Sequence, residues 1–318
     1  MAEHFRDDSV AAVAVRIDAE HPTGAVFDPH QPQLRITDLG AIRGDGIFET
    51  MHAINGTPRK LDAHLARLRR SAGILDIGIP PRDSWEAAVG LGLEEYRARG
   101  GVPEELAIKL VATRGVENEP ASEDPAFAGT YWLMLTPVAE SMRTNRGKPL
   151  GVTLLDRGYD STAAERAPWL LLGAKTLSYA VNMAALRHAD AGGFDDVIFI
   201  TSDGQVLEGP TSTVLIAEAG AAGEPPTLIT PVLETGILPG TTQGAIFTAA
   251  ERAGWKLGYG PLTPEDLYAA DHVWLLSSVR LAAPVNRIDE HELAVDPELT
   301  AQLNSFLDQD LPVNHPVD

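Results

Sequence analysis

The first half of the chain reads as short apolar runs broken by turn residues. Val10 to Ile17 is apolar and β-branched, Leu34 to Asp38 follows a proline-rich loop, and Ile47 to Ile54 runs from the Gly44-Asp45-Gly46 turn to Asn55-Gly56. Such runs predict strands, and Asn-Gly between extended runs predicts a hairpin. The period then changes. Leu61, Leu65 and Leu68 are spaced for one face of a helix, with Asp62 near its start and Gly73 near its end. A second helix is expected over Ser84 to Arg99, closed by Gly100-Gly101, with strands over Leu106 to Thr113 and Thr130 to Thr136.

A polar stretch, Glu140 to Pro149, mixes charge, Gly and Pro and reads as a linker. The second half restarts with a strand at Val152 to Leu155. Trp169 to Ala174 is an apolar run that ends at Lys175, and Thr176 to Ala191 has a helical pattern stopped by Gly192-Gly193. Asp203-Gly204 predicts a hairpin between Asp196 to Thr201 and Val206 to Glu208. Further strands are expected at Thr213 to Ala217, Thr227 to Thr230 and His272 to Ser277, and a helix at Thr241 to Gly254. Strands and helices grouped in this way predict an α+β fold. The expected organisation is a small N-terminal α/β domain over residues 1–140, a linker over 141–150 and a larger C-terminal domain over 151–318.

Length agrees, since 318 residues suit about two domains. Charge changes the picture more. Twenty-five basic residues against 45 acidic ones leave a net charge of −20. A surface this acidic repels a phosphate backbone, so nucleic acid is not an expected partner. The absence of cysteine removes thiolate metal sites, cysteine nucleophiles and disulfides, and fits a reducing compartment. No window reaches 18 apolar residues and the first residues do not form a secretion signal, so no membrane partner and a cytoplasmic location are expected. His-Glu-x-x-His, Walker, Gly-x-Ser-x-Gly and dinucleotide motifs are missing, which leaves metal, nucleotide and serine-hydrolase chemistry without support.

Candidate chemistry centres on lysine, which occurs five times. Lys60, Lys148 and Lys256 lie beside turns, and Lys109 alternates outward on a strand. Lys175 follows Leu170-Leu171-Leu172-Gly173-Ala174. Desolvation there would lower its pKa and suit a Schiff-base amine; alternatively the side chain snorkels to water from a strand end. Glu208 precedes Gly209-Pro210 and either caps that turn or faces a pyridine nitrogen, keeping it protonated. Leu238-Pro239-Gly240 leads into a helix that begins Thr241-Thr242, a place for an anion or for plain capping. Ser277-Ser278 adds donors or makes an ordinary turn. Arg67, between Leu65 and Leu68, either binds a phosphate with its planar fork or forms a surface ion pair.

In order, these segments resemble the fold-type IV pyridoxal-phosphate enzymes, the class IV aminotransferase family. The likeness runs from Arg43-Gly44-Asp45-Gly46-Ile47-Phe48-Glu49-Thr50 and Ala63-His64-Leu65-Ala66-Arg67-Leu68, through Lys175-Thr176-Leu177-Ser178-Tyr179 and Leu207-Glu208-Gly209, to Leu238-Pro239-Gly240-Thr241-Thr242. Lys175 and Glu208 are 33 residues apart, which suits the family. The resemblance implies pyridoxal 5'-phosphate held by Lys175, with Glu208 at the ring nitrogen, Tyr179 at the phenolic oxygen, and Arg67, Thr241, Thr242 and Ser278 at the phosphate. It implies the two-domain fold of D-amino-acid aminotransferase, with the active site between domains, and a homodimer. Thr213 stands where many members carry Asn, and the segment after Thr113-Arg114-Gly115 is acidic where some members place basic groups for a substrate carboxylate. Arg43 and Arg114 are candidates for that carboxylate.

The motif around Gly44-Asp45-Gly46 looks closest to aminodeoxychorismate lyase, which would act on a small amino substrate to give 4-aminobenzoate and pyruvate for folate biosynthesis. The alternatives are an aminotransferase of branched-chain or D-amino acids, and a non-catalytic binding protein on the same scaffold.

Overall fold

The computed structural model describes residues 12–221 and 223–309. The chain divides into two compact units. One contains residues up to Ala139 together with Ala174–Ser178; the other contains Glu140–Gly173 and the residues from Tyr179 onward.

The first unit is built on an antiparallel sheet. Its strands are β1 (Val13–Ile17), β2 (Ala25–Phe27), β3 (Gly46–Ile54), β4 (Thr57–Pro58), β5 (Glu105–Thr113) and β6 (Thr130–Pro137), in the order β2-β1-β6-β5-β3-β4. Val10 of the expected first strand lies outside the described residues. Asn55 and Gly56 both adopt positive φ, as a two-residue hairpin turn between β3 and β4 requires. Leu34 to Asp38, expected as a strand, is a turn. Asp38 then caps the short helix α1 (Leu39–Arg43), its side chain accepting from the Gly40 N–H at 2.8 Å. Local capping outweighs the β-branched pattern there.

Helices α2 (Leu61–Leu75) and α3 (Arg82–Ala98) pack on this sheet, α2 against β3 and α3 against β1. Leu65, Leu68, Ala72 and Leu75 of α2 are buried, the stripe that the spacing predicts. Gly92 of α3 permits close approach, because a Cβ there would lie 2.6 Å from Leu135 Cδ1. Nearby, the Tyr96 hydroxyl donates to the Leu135 carbonyl at 3.0 Å.

The strip Ala174–Ser178 continues this sheet beside β3. The Phe48 N–H donates to Lys175 O at 3.0 Å, the Leu177 N–H donates to Gly46 O at 2.8 Å, and Thr176 bridges Ile47. The sequence pattern predicts helix from Thr176, but the helix, α6 (Ala180–Ala191), begins only after Tyr179. Pairing with β3 takes the first residues of that pattern for the sheet. The apolar run before Lys175 is no strand either. Pro168–Leu170 forms a 3-10 turn, Leu171 has positive φ, and Trp169 is exposed.

The second unit has the sheet order β11-β10-β9-β12-β13-β7-β8. The strands are β7 (Leu150–Asp156), β8 (Asp196–Ile200), β9 (Thr213–Glu218), β10 (Thr227–Pro231), β11 (Lys256–Gly260), β12 (His272–Ser277) and β13 (Leu281–Ile288). Pairs β7–β8, β7–β13 and β10–β11 are parallel, the others antiparallel. Besides α6, its helices include α4 (Glu140–Thr144), α5 (Ala163–Arg166), α7 (Thr241–Arg252), α8 (Pro264–Ala269) and α9 (Pro297–Asp308). The 141–150 stretch therefore carries part of α4 and the start of β7.

Alternation along β9 feeds two cores. Leu215 and Ala217 join Ile246, Phe247, Trp274, Leu303 and Phe306 beneath α7 and α9. Val214 and Ile216 join Val273, Leu275, Val285 and Leu267 on the opposite face. Trp274 buries its indole fully and donates from Nε1 to Thr300 Oγ1 of α9 at 2.9 Å. Residues 206–208 pair with β8 through Leu207 N to Phe199 O at 2.8 Å and Phe199 N to Glu208 O at 2.9 Å, the hairpin expected around Asp203-Gly204.

Candidate active site

In the first unit β3 and α2 meet through charge. Along β3, Ile47, Glu49 and Met51 are all buried, so a carboxylate stands in an otherwise apolar row. On α2, His64, Arg67, Leu68 and Ser71 occupy one buried stripe. The groups meet tightly. Arg67 Nε donates to Glu49 Oε1 at 2.6 Å, Arg67 Nη2 donates to Glu49 Oε2 at 2.8 Å, and His64 Nδ1 lies 2.7 Å from Glu49 Oε2. Burial would raise the Glu49 carboxyl, but Arg67 and then His64 hold it down to about 2. Burial pushes the His64 imidazole below its ordinary value, against the opposite pull of Glu49. A neutral His64 therefore carries its proton on Nδ1, facing the carboxylate.

Lys175 enters the same unit on the β3-paired strip. Its N–H donates to Ser71 Oγ at 3.1 Å, and its Nζ lies 4.6 Å from the centroid of the Phe48 ring. The half-buried amine thus sits on an aromatic face, not at a strand end in water. Lys175 and Arg67 both add positive charge at His64. Arg67 is in a buried ion pair, not the surface pair that its spacing allowed. Arg114 spends its donors on the protein: Asp45 Oδ2 at 2.7 Å, Asp76 O at 2.9 Å and Leu75 O at 2.7 Å. Arg43 lines a cavity of about 370 Å3 with Leu39, Asp45, Arg114, Val116 and Glu117.

In the second unit Glu208 Oε2 accepts the Leu238 N–H at 3.1 Å. Its carboxylate bears on two phenols. Burial first, and Glu208 second, push both Tyr159 and Tyr179 up to about 12, so each is a hydrogen-bond donor at neutral pH. Tyr179 donates to the Pro210 carbonyl, which also accepts from Asn182 Nδ2 at 2.7 Å. Three residues beyond Leu238, Thr241 and Thr242 open α7. The N-cap is Gly240, with extended backbone and no side-chain cap. A Cβ at Gly240 would lie 2.4 Å from Thr213 Oγ1, so only glycine lets β9 and the helix end approach so closely. Ser278 is half-buried in the turn between β12 and β13, and beside it Arg280 Nη2 lies 2.8 Å from Asp196 Oδ2. The buried Ser212 hydroxyl finds no hydrogen-bond partner among the described residues.

The sequence-derived residues thus fall into two sets, Lys175 with Arg67 in the first unit and Tyr179, Glu208, Thr241, Thr242 and Ser278 in the second. The Glu49–His64 pair was not anticipated, although an acid in the inward row of β3 marks it. Tyr159, Arg157 and Asn182 were also missed. Arg157 Nη2 reaches Asn182 Oδ1 at 3.2 Å, and its guanidinium lies 4.7 Å from the Phe199 ring. No motif announces them, because Asn182 lies 25 residues from Arg157 in the chain. As donor chemistry the two sets fit pyridoxal phosphate: a primary amine for the aldehyde, a carboxylate for the ring nitrogen, and a helix N-terminus with hydroxyls for the phosphate. The orphaned Ser212 hydroxyl fits the same need for a polar guest.

The family model described as Amino-transferase class IV matches residues 46–288. A bifunctional aminodeoxychorismate lyase / D-amino acid transaminase of Mycobacterium tuberculosis is 40% identical over 283 residues, covering 88% of this chain and 95% of that protein. Among solved structures, the fold IV-transaminase CpuTA1 of Curtobacterium pusillum is 42% identical at a TM-score of 0.85, over 93% of this chain and 98% of the other. The pyridoxal-phosphate-bound form of a hypothetical aminotransferase from Mycobacterium tuberculosis follows at 38% identity and a TM-score of 0.82, over 93% and 98%. The chain belongs to the class IV aminotransferase family of fold-type IV enzymes, lyases and aminotransferases that work with pyridoxal 5'-phosphate.

Proposed function

We propose that the chain is a 4-amino-4-deoxychorismate lyase, releasing 4-aminobenzoate and pyruvate, with amino transfer from D-amino acids as a second activity. The observation that carries this reading is the likeness, over nearly its whole length, to the mycobacterial protein whose name joins the two reactions.

Bound pyridoxal phosphate supplies an aldehyde and an electron-withdrawing ring. Lys175 would hold it through Nζ and, once the substrate amine takes its place, would remove the proton from the carbon next to nitrogen. Glu208 would keep the ring nitrogen protonated. Thr241, Thr242 and Ser278 would hold the phosphate together with Arg67, whose guanidinium is oriented in advance by Glu49. Tyr179 would donate to the phenolic oxygen, giving up its hydrogen bond to the Pro210 carbonyl. Delivery of that proton by Lys175 to the cofactor's side, followed by hydrolysis, would lead to amino transfer; breakage of the ring C–O bond to the enolpyruvyl group would instead release pyruvate and leave an aromatic ring, with aromatisation as the driving force. A homodimer belongs to the same proposal, and light scattering at twice the chain mass checks it.

The test is product identification. Incubation with aminodeoxychorismate and no keto-acid acceptor is expected to release 4-aminobenzoate and pyruvate in equal amounts. Exchange between D-alanine and a keto acid, with no aromatic product, would remove the lyase and leave the transaminase.

A further inference from the structure

We propose that Asn182 is a positioning residue for the cofactor's phenolic oxygen: it holds the Pro210 carbonyl so that Tyr179 can turn its hydroxyl to that oxygen. The inference rests on the reading of Tyr179 given above and deepens it. Pro210 is buried, and proline has no N–H, so its carbonyl is the one backbone polar group that this residue must keep satisfied. Two side chains among the described residues reach it. Tyr179 donates from its hydroxyl, and Asn182 donates from Nδ2 at 2.7 Å. Tyr179 stands at the N-cap of α6 and Asn182 three residues later, so one helical turn carries both donors along one face.

The phenol has a single proton, which it keeps at neutral pH because burial first, and the Glu208 carboxylate second, push it up to about 12. It can serve Pro210 or the cofactor, and serving the cofactor takes a donor away from a buried carbonyl. A carbonyl that loses one of two donors keeps a hydrogen bond. One that loses its sole donor is stranded, and that costs far more. Asn182 makes the difference between these two cases. Its amide is keyed for the task. Oδ1 accepts from Arg157 Nη2 at 3.2 Å, which leaves Nδ2 facing Pro210, and the Arg157 guanidinium is itself laid on the Phe199 ring at 4.7 Å. Without Asn182, Tyr179 would stay on Pro210 and the phenolic oxygen would lose its donor.

Equilibrium dialysis of the full chain, freed of cofactor, tests this with 4'-deoxypyridoxine 5'-phosphate as the probe. The probe carries the phenolic oxygen, the ring nitrogen and the phosphate but no aldehyde, so its affinity is independent of any bond to Lys175. Asn182→Leu, which fills the same space without a donor, is expected to weaken its binding at least ~fivefold, the cost of one stranded buried carbonyl. In the Tyr179→Phe background the same substitution is expected to change the affinity by less than ~twofold, because no hydroxyl has to leave. The thermal midpoint checks that each variant is folded, and Asn182→Ala takes the place of the leucine variant where that one is not. Undiminished affinity in Asn182→Leu overturns the proposal. So does an equal loss in both backgrounds, the mark of a merely structural residue. A Tyr179→Phe variant that binds the probe as tightly as wild type would strike the reading of Tyr179, and the role of Asn182 with it. Wild type that converts neither aminodeoxychorismate nor D-alanine would remove the function proposed above, and the affinities would still decide Asn182.

Discussion

Glu49 is a fully buried carboxylate kept ionised by one guanidinium and one imidazole, and its sign on stability follows from that. Its folded value of about 2 is below the ordinary 4.5. The stability it contributes is therefore complete above 4.5 and is lost as pH falls from there towards 2. His64, lowered from 6.5, acts in the same direction, with a loss that begins below 6.5. We expect Glu49→Gln to flatten the acid limb of the unfolding free energy, measured by denaturant titration between pH 5 and pH 3; an unaltered limb would contradict the pairing. Arg67→Ala strands the charge and should cost about 3–5 kcal/mol at pH 7 by the same measurement. Lys175→Ala should abolish both the visible absorbance of added pyridoxal phosphate and turnover, at little cost in thermal midpoint. Lys175, Arg67, Glu208 and the two threonines stand out in the sequence because each lies in a short contiguous motif. Glu49 with His64, and Arg157 with Tyr159 and Asn182, do not, since such groups become neighbours only through sheet register and helix packing.

Elements tell a similar story. Strands with turn chemistry of their own, such as β3 with Asn55-Gly56, and helices with regular spacing, such as α2 and α7, were readable from local pattern. Errors arose where pairing or capping overrode that pattern: Leu34 to Asp38 became a turn into α1, and Thr176 to Ser178, expected as the start of a helix, lie beside β3 through the Ile47–Thr176 bridge. Strands β11 and β13 and helices α8 and α9 went unseen, although Asp296 as cap and Pro297 in the first turn mark the start of α9. The junction of Gly240 with α7 provides a test of element geometry. Gly240→Ala would drive its Cβ to 2.4 Å from Thr213 Oγ1 and shift the first turn of the helix. We expect pyridoxal phosphate to bind at least ~tenfold more weakly in dialysis, with part of the loss recovered by adding Thr213→Ala. Full affinity in the single variant would mean that the helix end has no part in holding the phosphate.

At the scale of the molecule, charge and topology matter most. A net charge of −20 repels itself in the compact state. Raising ionic strength from 0.01 M to 0.15 M shortens screening from about 30 Å to about 8 Å, so the melting temperature should rise by about 2–4 °C for each kcal/mol of repulsion removed. A fall over that range would place the balance with attractive pairs instead. Among the described residues no helix is long and apolar enough to cross a membrane.

The strip Ala174–Ser178 has a temporal consequence. It belongs to the first unit yet follows thirty-four residues of the second, Glu140–Gly173. A nascent chain that has reached Ala139 holds all six strands of its leading sheet, but the pairing of Ile47 in β3 with Thr176 comes only later. Lys175 rides on that strip, so under the proposed function a chain stalled before it lacks the reactive amine, however well its leading sheet has formed.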